Sequence, residues 1–252
     1  MSFRLVKWYG DLTTETGDAV IGYAATLEAP LHLEYAACLE ICGERVESRS
    51  ALERSAIAEL RGAWTWKAPH LEARFQPLQR SVAIDLLDEP RGKVQWHPVS
   101  PLCETRMTVG GRALEGLGYL ERLELSIPPW DLPLERLVWG RFVHPRAGLV
   151  WIDWQGPHPL QVVLRDGERV DGAIEAERIL APGTELQIGT RRLLREGTLG
   201  RVALAAVSAL SHVTPLGFLR TVERKALSRG RMLRGTEVLE GWIIDEVVTW
   251  AR

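Results

Sequence analysis

The sequence lacks what would mark a common catalytic or binding class. It has three cysteines, Cys38, Cys42 and Cys103, an odd number without a zinc-type spacing. Its six histidines are scattered, which predicts no metal site. No apolar run approaches the roughly 18 residues of a membrane-spanning helix. The opening Met1 to Gly10 has no apolar signal-peptide core, so no signal peptide is expected. Neither sign of charge dominates, and a net charge of −2 removes the electrostatic reason to expect nucleic acid. There is no phosphate-cradling glycine loop and no Gly-x-Ser-x-Gly elbow. Gly110-Gly111 and Gly116-x-Gly118 precede a strand pattern with no helix after it, a poor match to a dinucleotide site. These absences predict a cytoplasmic protein with buried free thiols and no cofactor.

What is present is β-pattern. The chain has 252 residues, 46% hydrophobic and 25% charged, enough for one large β-domain or two small ones. Alternating segments run over Arg4 to Gly10, Ala19 to Glu28, His32 to Ile41, Ala63 to Ala68, His70 to Leu78 and Ser81 to Leu87. Thr14 to Asp18 reads as a hairpin turn. Val94 to His97 and Glu104 to Val109 read as two strands split by Pro98 and Pro101. The series resumes over Gly118 to Ser126, Leu137 to His144, Leu149 to Trp154 and Leu160 to Arg165. Asp166-Gly167 turns the chain into Glu168 to Val170. Short strands follow near Glu175 to Leu180, Glu185 to Ile188 and Trp242 to Trp250. Many short strands at even spacing predict an all-β fold of antiparallel barrels or half-barrels.

Gly110-Gly111-Arg112 predicts a junction between a domain over 1–112 and one over 113–252, with no evident sequence repeat between them. Leu199 to Arg234 lacks strand alternation. Val202, Ala206, Ala209, Leu210 and Val213 fit one helical face, and a second helix is expected over Leu219 to Leu227. A helical insertion over about 200–228 follows. Six basic residues stand against one acid, Glu223, from Arg220 to Arg234. A basic amphipathic helix there would make peripheral contact with anionic lipid, or pack its apolar side on the barrel and solvate its charges.

Four of the ten tryptophans, Trp130, Trp139, Trp151 and Trp154, fall between Gly116 and Trp154, around Asp153. Strand parity places Trp151 and Asp153 on one face and Ile152 and Trp154 on the other. Inside an apolar cavity, burial favours the protonated form of a carboxyl, the form a general acid needs, and indole faces stabilise a cation. The competing arrangement is Asp153 in solvent, or paired with Arg141. Tyr119 and Glu121, two positions apart, share a face and are further catalytic candidates. Glu34 is a second candidate inward acid, and Glu246 lies in the last strand. Tyr9, Trp64 and Trp66 are candidates to line a cavity.

Several short motifs occur in a suggestive order: Trp8-Tyr9-Gly10-Asp11-Leu12-Thr13, Trp96-His97-Pro98, Gly116-Leu117-Gly118-Tyr119-Leu120-Glu121, Leu137-Val138-Trp139-Gly140-Arg141 and Val150-Trp151-Ile152-Asp153. Together they resemble the AttH-like, lipocalin-like superfamily, which includes carotenoid 1,2-hydratases, tocopherol cyclases and lipocalin-like Diels–Alderases. The resemblance implies two packed lipocalin-like β-barrel halves around an apolar cavity. It implies cofactor-independent chemistry on isoprenoid or polyketide-like hydrocarbons, with Asp153 as the acid that protonates a C=C bond and Trp139 as its aromatic partner. Glu121-Arg122-Leu123-Glu124 departs from the hydratases' Asp-x-Asn-x-Gly-like run.

The leading expectation is therefore a hydratase or cyclase. Asp153, Glu121 and Tyr119 would be catalytic, and Trp139, Trp151, Trp130, Tyr9, Glu34 and Trp66 would contact a hydrophobic small molecule. A Diels–Alderase-type cyclase of natural-product synthesis and a non-catalytic lipophile carrier are the alternatives. Nothing in the sequence fixes an oligomeric state.

Overall fold

The computed structural model describes residues 3–28, 32–202 and 215–251. The chain divides into two units, Met1–Asp131 and Leu132–Arg252. Each is built on a curled antiparallel sheet, a half-barrel. The first holds β1 (Arg4–Thr13), β2 (Ala19–Glu28), β3 (Leu33–Cys42), β4 (Arg45–Ala51), β5 (Ala56–Leu60), β6 (Ala63–Ala68), β7 (Leu71–Pro77), β8 (Ile84–Glu89), β9 (Gly92–Val109) and β10 (Arg112–Leu125). The second holds β11 (Arg136–His144), β12 (Ala147–Gln155), β13 (Leu160–Arg165), β14 (Glu168–Val170), β15 (Ala173–Ile174), β16 (Arg178–Ala181), β17 (Thr184–Ile188), β18 (Arg192–Thr198), β19 (Val222–Arg234) and β20 (Glu237–Thr249). Two one-turn helices, α1 (Leu199–Val202) and α2 (Leu216–Leu219), lie between β18 and β19.

The two sheets share one topology. The first runs β4-β3-β2-β1-β10-β9-β7-β6-β5 with β8 on β9; the second runs β14-β13-β12-β11-β20-β19-β17-β16-β15 with β18 on β19. Adding ten to each strand number of the first sheet yields the second. The fold thus repeats where the sequence shows no repeat, because a half-barrel constrains apolar alternation and turns rather than residue identity.

The expected junction at residue 112 is corrected. β10 pairs with β1 and β9 and so closes the first unit, and the division falls after the short 3-10 turn Pro129–Asp131. Gly110-Gly111 is instead the hairpin turn between β9 and β10, with both glycines at positive φ. The two strands expected on either side of Pro98 and Pro101 are one continuous strand. The register with β10 slips around Leu120, where Ser100 and Pro98 become successive partners of Leu120 and Glu121. A proline is tolerated where a bulge already breaks the ladder.

The second helix expected over Leu219 to Leu227 is also corrected, since Val222–Arg234 is the interior strand β19, which pairs with β20, β17 and β18. Three of its charges pair with residues distant in sequence: Lys225 with Glu246, Glu223 with Arg195, and Arg234 with Asp166 at 3.0 Å. The amphipathic helix on which a lipid contact was expected does not form. The helical face from Ala206 to Val213 lies outside the described residues. Cys42 is exposed, against expectation, whereas Cys38 and Cys103 are buried. Burial pushes the Cys38 thiol above its ordinary pKa, which keeps it protonated and inert.

Each half-barrel buries its own core. Trp66, Phe75, Leu12, Leu120 and Met107 fill the first; Trp151, Phe142, Leu186, Met232 and Ile243 fill the second. One end of the first sheet is clipped by Asp18. Its carboxylate accepts the Gly43 N–H of the β3–β4 turn at 2.9 Å and the guanidinium of Arg112, at the start of β10, at 2.5 Å. The Gly43 N–H, and then Arg112, hold the Asp18 pKa below its ordinary value against the opposing effect of burial.

A depressed folded-state pKa contributes stability above the unfolded-state value and loses it as pH falls through the folded one. Asp18→Ala should therefore lower stability by about 1–2 kcal/mol at neutral pH. The gap to wild type should narrow below about pH 4. Urea titrations at the two pH values check this.

Candidate functional site

The candidate residues fall into two groups, one in each unit. In the first, β1 alternates sharply. Leu12 enters the core, Trp8 packs on it, and Gly10 between them is bare because the Phe75 and Trp66 rings lie over it. A Cβ at Gly10 would stand 2.8 Å from Phe75 and 3.0 Å from Trp66. Tyr9 and Asp11 therefore point to the opposite face. On β10, Glu121 stands opposite Tyr9, and Tyr119 opposite Asp11.

The four side chains form a crossed square. The Tyr9 hydroxyl donates to Asp11 Oδ2 at 2.9 Å, and the Tyr119 hydroxyl donates to Glu121 Oε2 at 2.6 Å. The Trp96 indole N–H also donates to Glu121 Oε2, at 2.5 Å. All are buried; Asp11 and Tyr119 are at 0% exposure and Glu121 at 8%. The Tyr9 ring lies 5.5 Å from Tyr23 and 6.1 Å from Tyr119. Two carboxyl groups thus sit among phenol and indole rings, with neutral donors fixed on each. Gly118 explains part of the Gly116-Leu117-Gly118 motif. A Cβ there would be 2.0 Å from the Asp11 carbonyl oxygen, so only glycine lets β10 approach β1 in this register.

In the second unit, Trp151 and Asp153 share the core face of β12, as strand parity predicts, and Asp153 is 8% exposed. It is not paired with Arg141. That side chain lies on the opposite face and donates to the Trp242 carbonyl at 3.0 Å. Asp153 instead accepts from two neutral amides, Gln155 Nε2 at 2.5 Å and Gln161 Nε2 at 3.2 Å. Trp139 is separated from it. Trp139 stands opposite Ile152 and Glu246, on the other face of the sheet, so it is not the aromatic partner of Asp153. There the Lys225 ammonium pairs with Glu246 and lies 5.7 Å from the Trp139 ring centre.

The remaining candidates are dispersed. Trp66 belongs to the first core. Trp130 lies in the Pro129–Asp131 turn, edge-on to Phe3 at 6.1 Å. Glu34 is half-buried on β3, 3.4 Å from His32. Asp11, Trp96 and Lys225 were not singled out as site residues from sequence. Asp11 carried a usable signal, since it shares parity with Tyr9 and stands between Gly10 and Leu12. Lys225 carried none, because its partner Glu246 is on another strand. Among the described residues no group of three or more His, Cys, Asp or Glu side chains gathers to hold a metal ion.

No family model matches the chain, and no curated protein matches it by sequence. Solved structures do match its fold. A protein from Nitrosomonas europaea assigned as an AttH superposes with a TM-score of 0.60 at 14% identity, covering 100% of this chain and 94% of that one. Kievitone hydratase from Nectria haematococca superposes with a TM-score of 0.58 at 8% identity, covering 97% and 88%. CghA with Sch210972 bound superposes with a TM-score of 0.57 at 10% identity, covering 99% and 89%. At these identities the likeness establishes a common fold, the one implied by the motif order.

Glu121, buried, and Glu246, partly buried, differ in what removing them should cost. Glu246→Gln removes a charge partner of the fully buried Lys225 and should destabilise the protein by about 3 kcal/mol. Glu121→Gln keeps a carbonyl acceptor for Tyr119 and Trp96 and should cost about 1 kcal/mol or less. Chemical denaturation of both variants measures the difference.

Proposed function

We propose that this chain, which has the fold of AttH, kievitone hydratase and CghA, is a cofactor-independent hydratase or cyclase acting on a C=C bond of a hydrophobic isoprenoid or polyene. The reading rests on one observation above all: Glu121, buried among aromatic rings, holds two neutral donors on one oxygen. Protonated Glu121 would transfer its proton to one alkene carbon. The π pair forms the new C–H bond and leaves a cation on the neighbouring carbon. The carboxylate left behind is met at once by Tyr119 and Trp96, whose positions need no rearrangement. The Tyr9, Tyr23 and Tyr119 rings offer π faces to the cation. Water, or a hydroxyl of the substrate, then supplies the electron pair that quenches the cation and returns a proton to Glu121. Proton count and charge balance over the cycle, with no redox step.

Asp153 remains the second candidate acid, but both its oxygens already accept amide hydrogens. The variants separate the two. Glu121→Gln should lower turnover of a converted polyene by about 10²–10⁴, the range for loss of a general acid. Asp153→Asn should cost less than about tenfold. If Glu121→Gln turns over at the wild-type rate, acid catalysis at this site is wrong, and a shape-driven cycloaddition becomes the better description.

A further inference from the structure

The interior of the second unit holds an acid that this reaction leaves unused. Asp245, on β20, shares the core face with Ile243 and is 4% exposed. Its Oδ2 accepts from Arg191 Nε at 2.6 Å, while Arg191 Nη2 donates to the Ala176 carbonyl at 2.9 Å. Its Oδ1 is buried with no hydrogen-bond partner among the described residues. Asp153, on the same face, has both oxygens engaged. A buried carboxylate oxygen without a donor is a standing cost that a ligand could remove.

The neighbours of Asp245 are small. Gly140 stands opposite it on β11 and Ala226 opposite it on β19. The next residue of β19 on that face is Ser228, 2% exposed, whose hydroxyl also lacks a partner among the described residues. Gly140 is bare because the Trp151 ring rests on it; a Cβ there would lie 2.2 Å from Trp151 Cζ2. The indole therefore ends beside Asp245. An unmet acceptor, an unmet hydroxyl and an aromatic face converge on one side of one sheet.

We propose that the interior of the second unit binds a flat apolar molecule through a neutral hydroxyl, which donates to Asp245 Oδ1 beside Ser228 while its ring lies against Trp151. The hydroxyl is neutral because Arg191 already balances the carboxylate; an ammonium would place a second cation on one acid. This site shares no residue with the Glu121 cluster, and the two assignments stand or fall separately.

Equilibrium dialysis of the full chain with 1-naphthol and with 1-methoxynaphthalene tests it. The second probe keeps the ring and lacks the donor. Wild type should bind 1-naphthol about tenfold more tightly. Asp245→Asn should cut that preference to about twofold or less, with circular dichroism checking the fold. Ser228→Ala, which leaves the ion pair intact, should weaken 1-naphthol alone, Trp151→Phe should weaken both probes, and Glu121→Gln should change neither. Equal affinity of wild type for the two probes overturns the assignment. So does a preference that survives in both Asp245→Asn and Ser228→Ala, or no saturable binding up to about 1 mM.

Discussion

The close approach of β1 and β10 is the constraint on which the first unit's chemistry depends. Glycine at 118 brings β10 against the Asp11 carbonyl, in the register that sets Tyr9 opposite Glu121 and Asp11 opposite Tyr119. Glycine at 10 does the complementary work on β1, giving its core side to Phe75 and Trp66 so that Tyr9 and Asp11 face the other way. A shift of one residue in this pairing would turn one of the two strands over and send its acid into the core among Trp66 and Phe75. Backbone spacing thus comes first, and the acid–phenol square follows from it.

The same strand order, used twice, carries different chemistry at corresponding places. Across β1 and β10 a tyrosine faces a glutamate; across β11 and β20 a tryptophan faces a glutamate. The first glutamate takes hydrogen bonds from a phenol and an indole. The second takes an ammonium, the buried Lys225, and becomes half of a partly buried ion pair. The same strand positions thus carry a carboxyl that accepts from a phenol and an indole in one unit and a carboxyl that accepts from an ammonium in the other.

Much of this was legible from the residues. Strand parity placed Trp151 with Asp153, and Tyr119 with Glu121, because alternation along one strand is a local rule. The turn Thr14 to Asp18 and the Asp166-Gly167 hairpin follow from turn chemistry alone, and both Asp166 and Gly167 take positive φ. What failed depended on other strands. Leu219 to Leu227 looked helical because the segment lacks strand alternation, and what makes it a strand is its pairing on both sides with β18 and β20. Trp139 looked close to Asp153, but one residue of parity separates their faces. Pro98 and Pro101 looked like breaks because the bulge that admits them is defined by β10.

Acid catalysis by Glu121 moves a proton from the protein to a carbon of the substrate. Conversion of a polyene substrate in D2O reads this directly by mass spectrometry and NMR of the product. One deuterium should appear on the carbon that gains the new C–H bond, with loss of incorporation in step with loss of turnover in Glu121→Gln. A product formed at the same rate with no deuterium on carbon would contradict it.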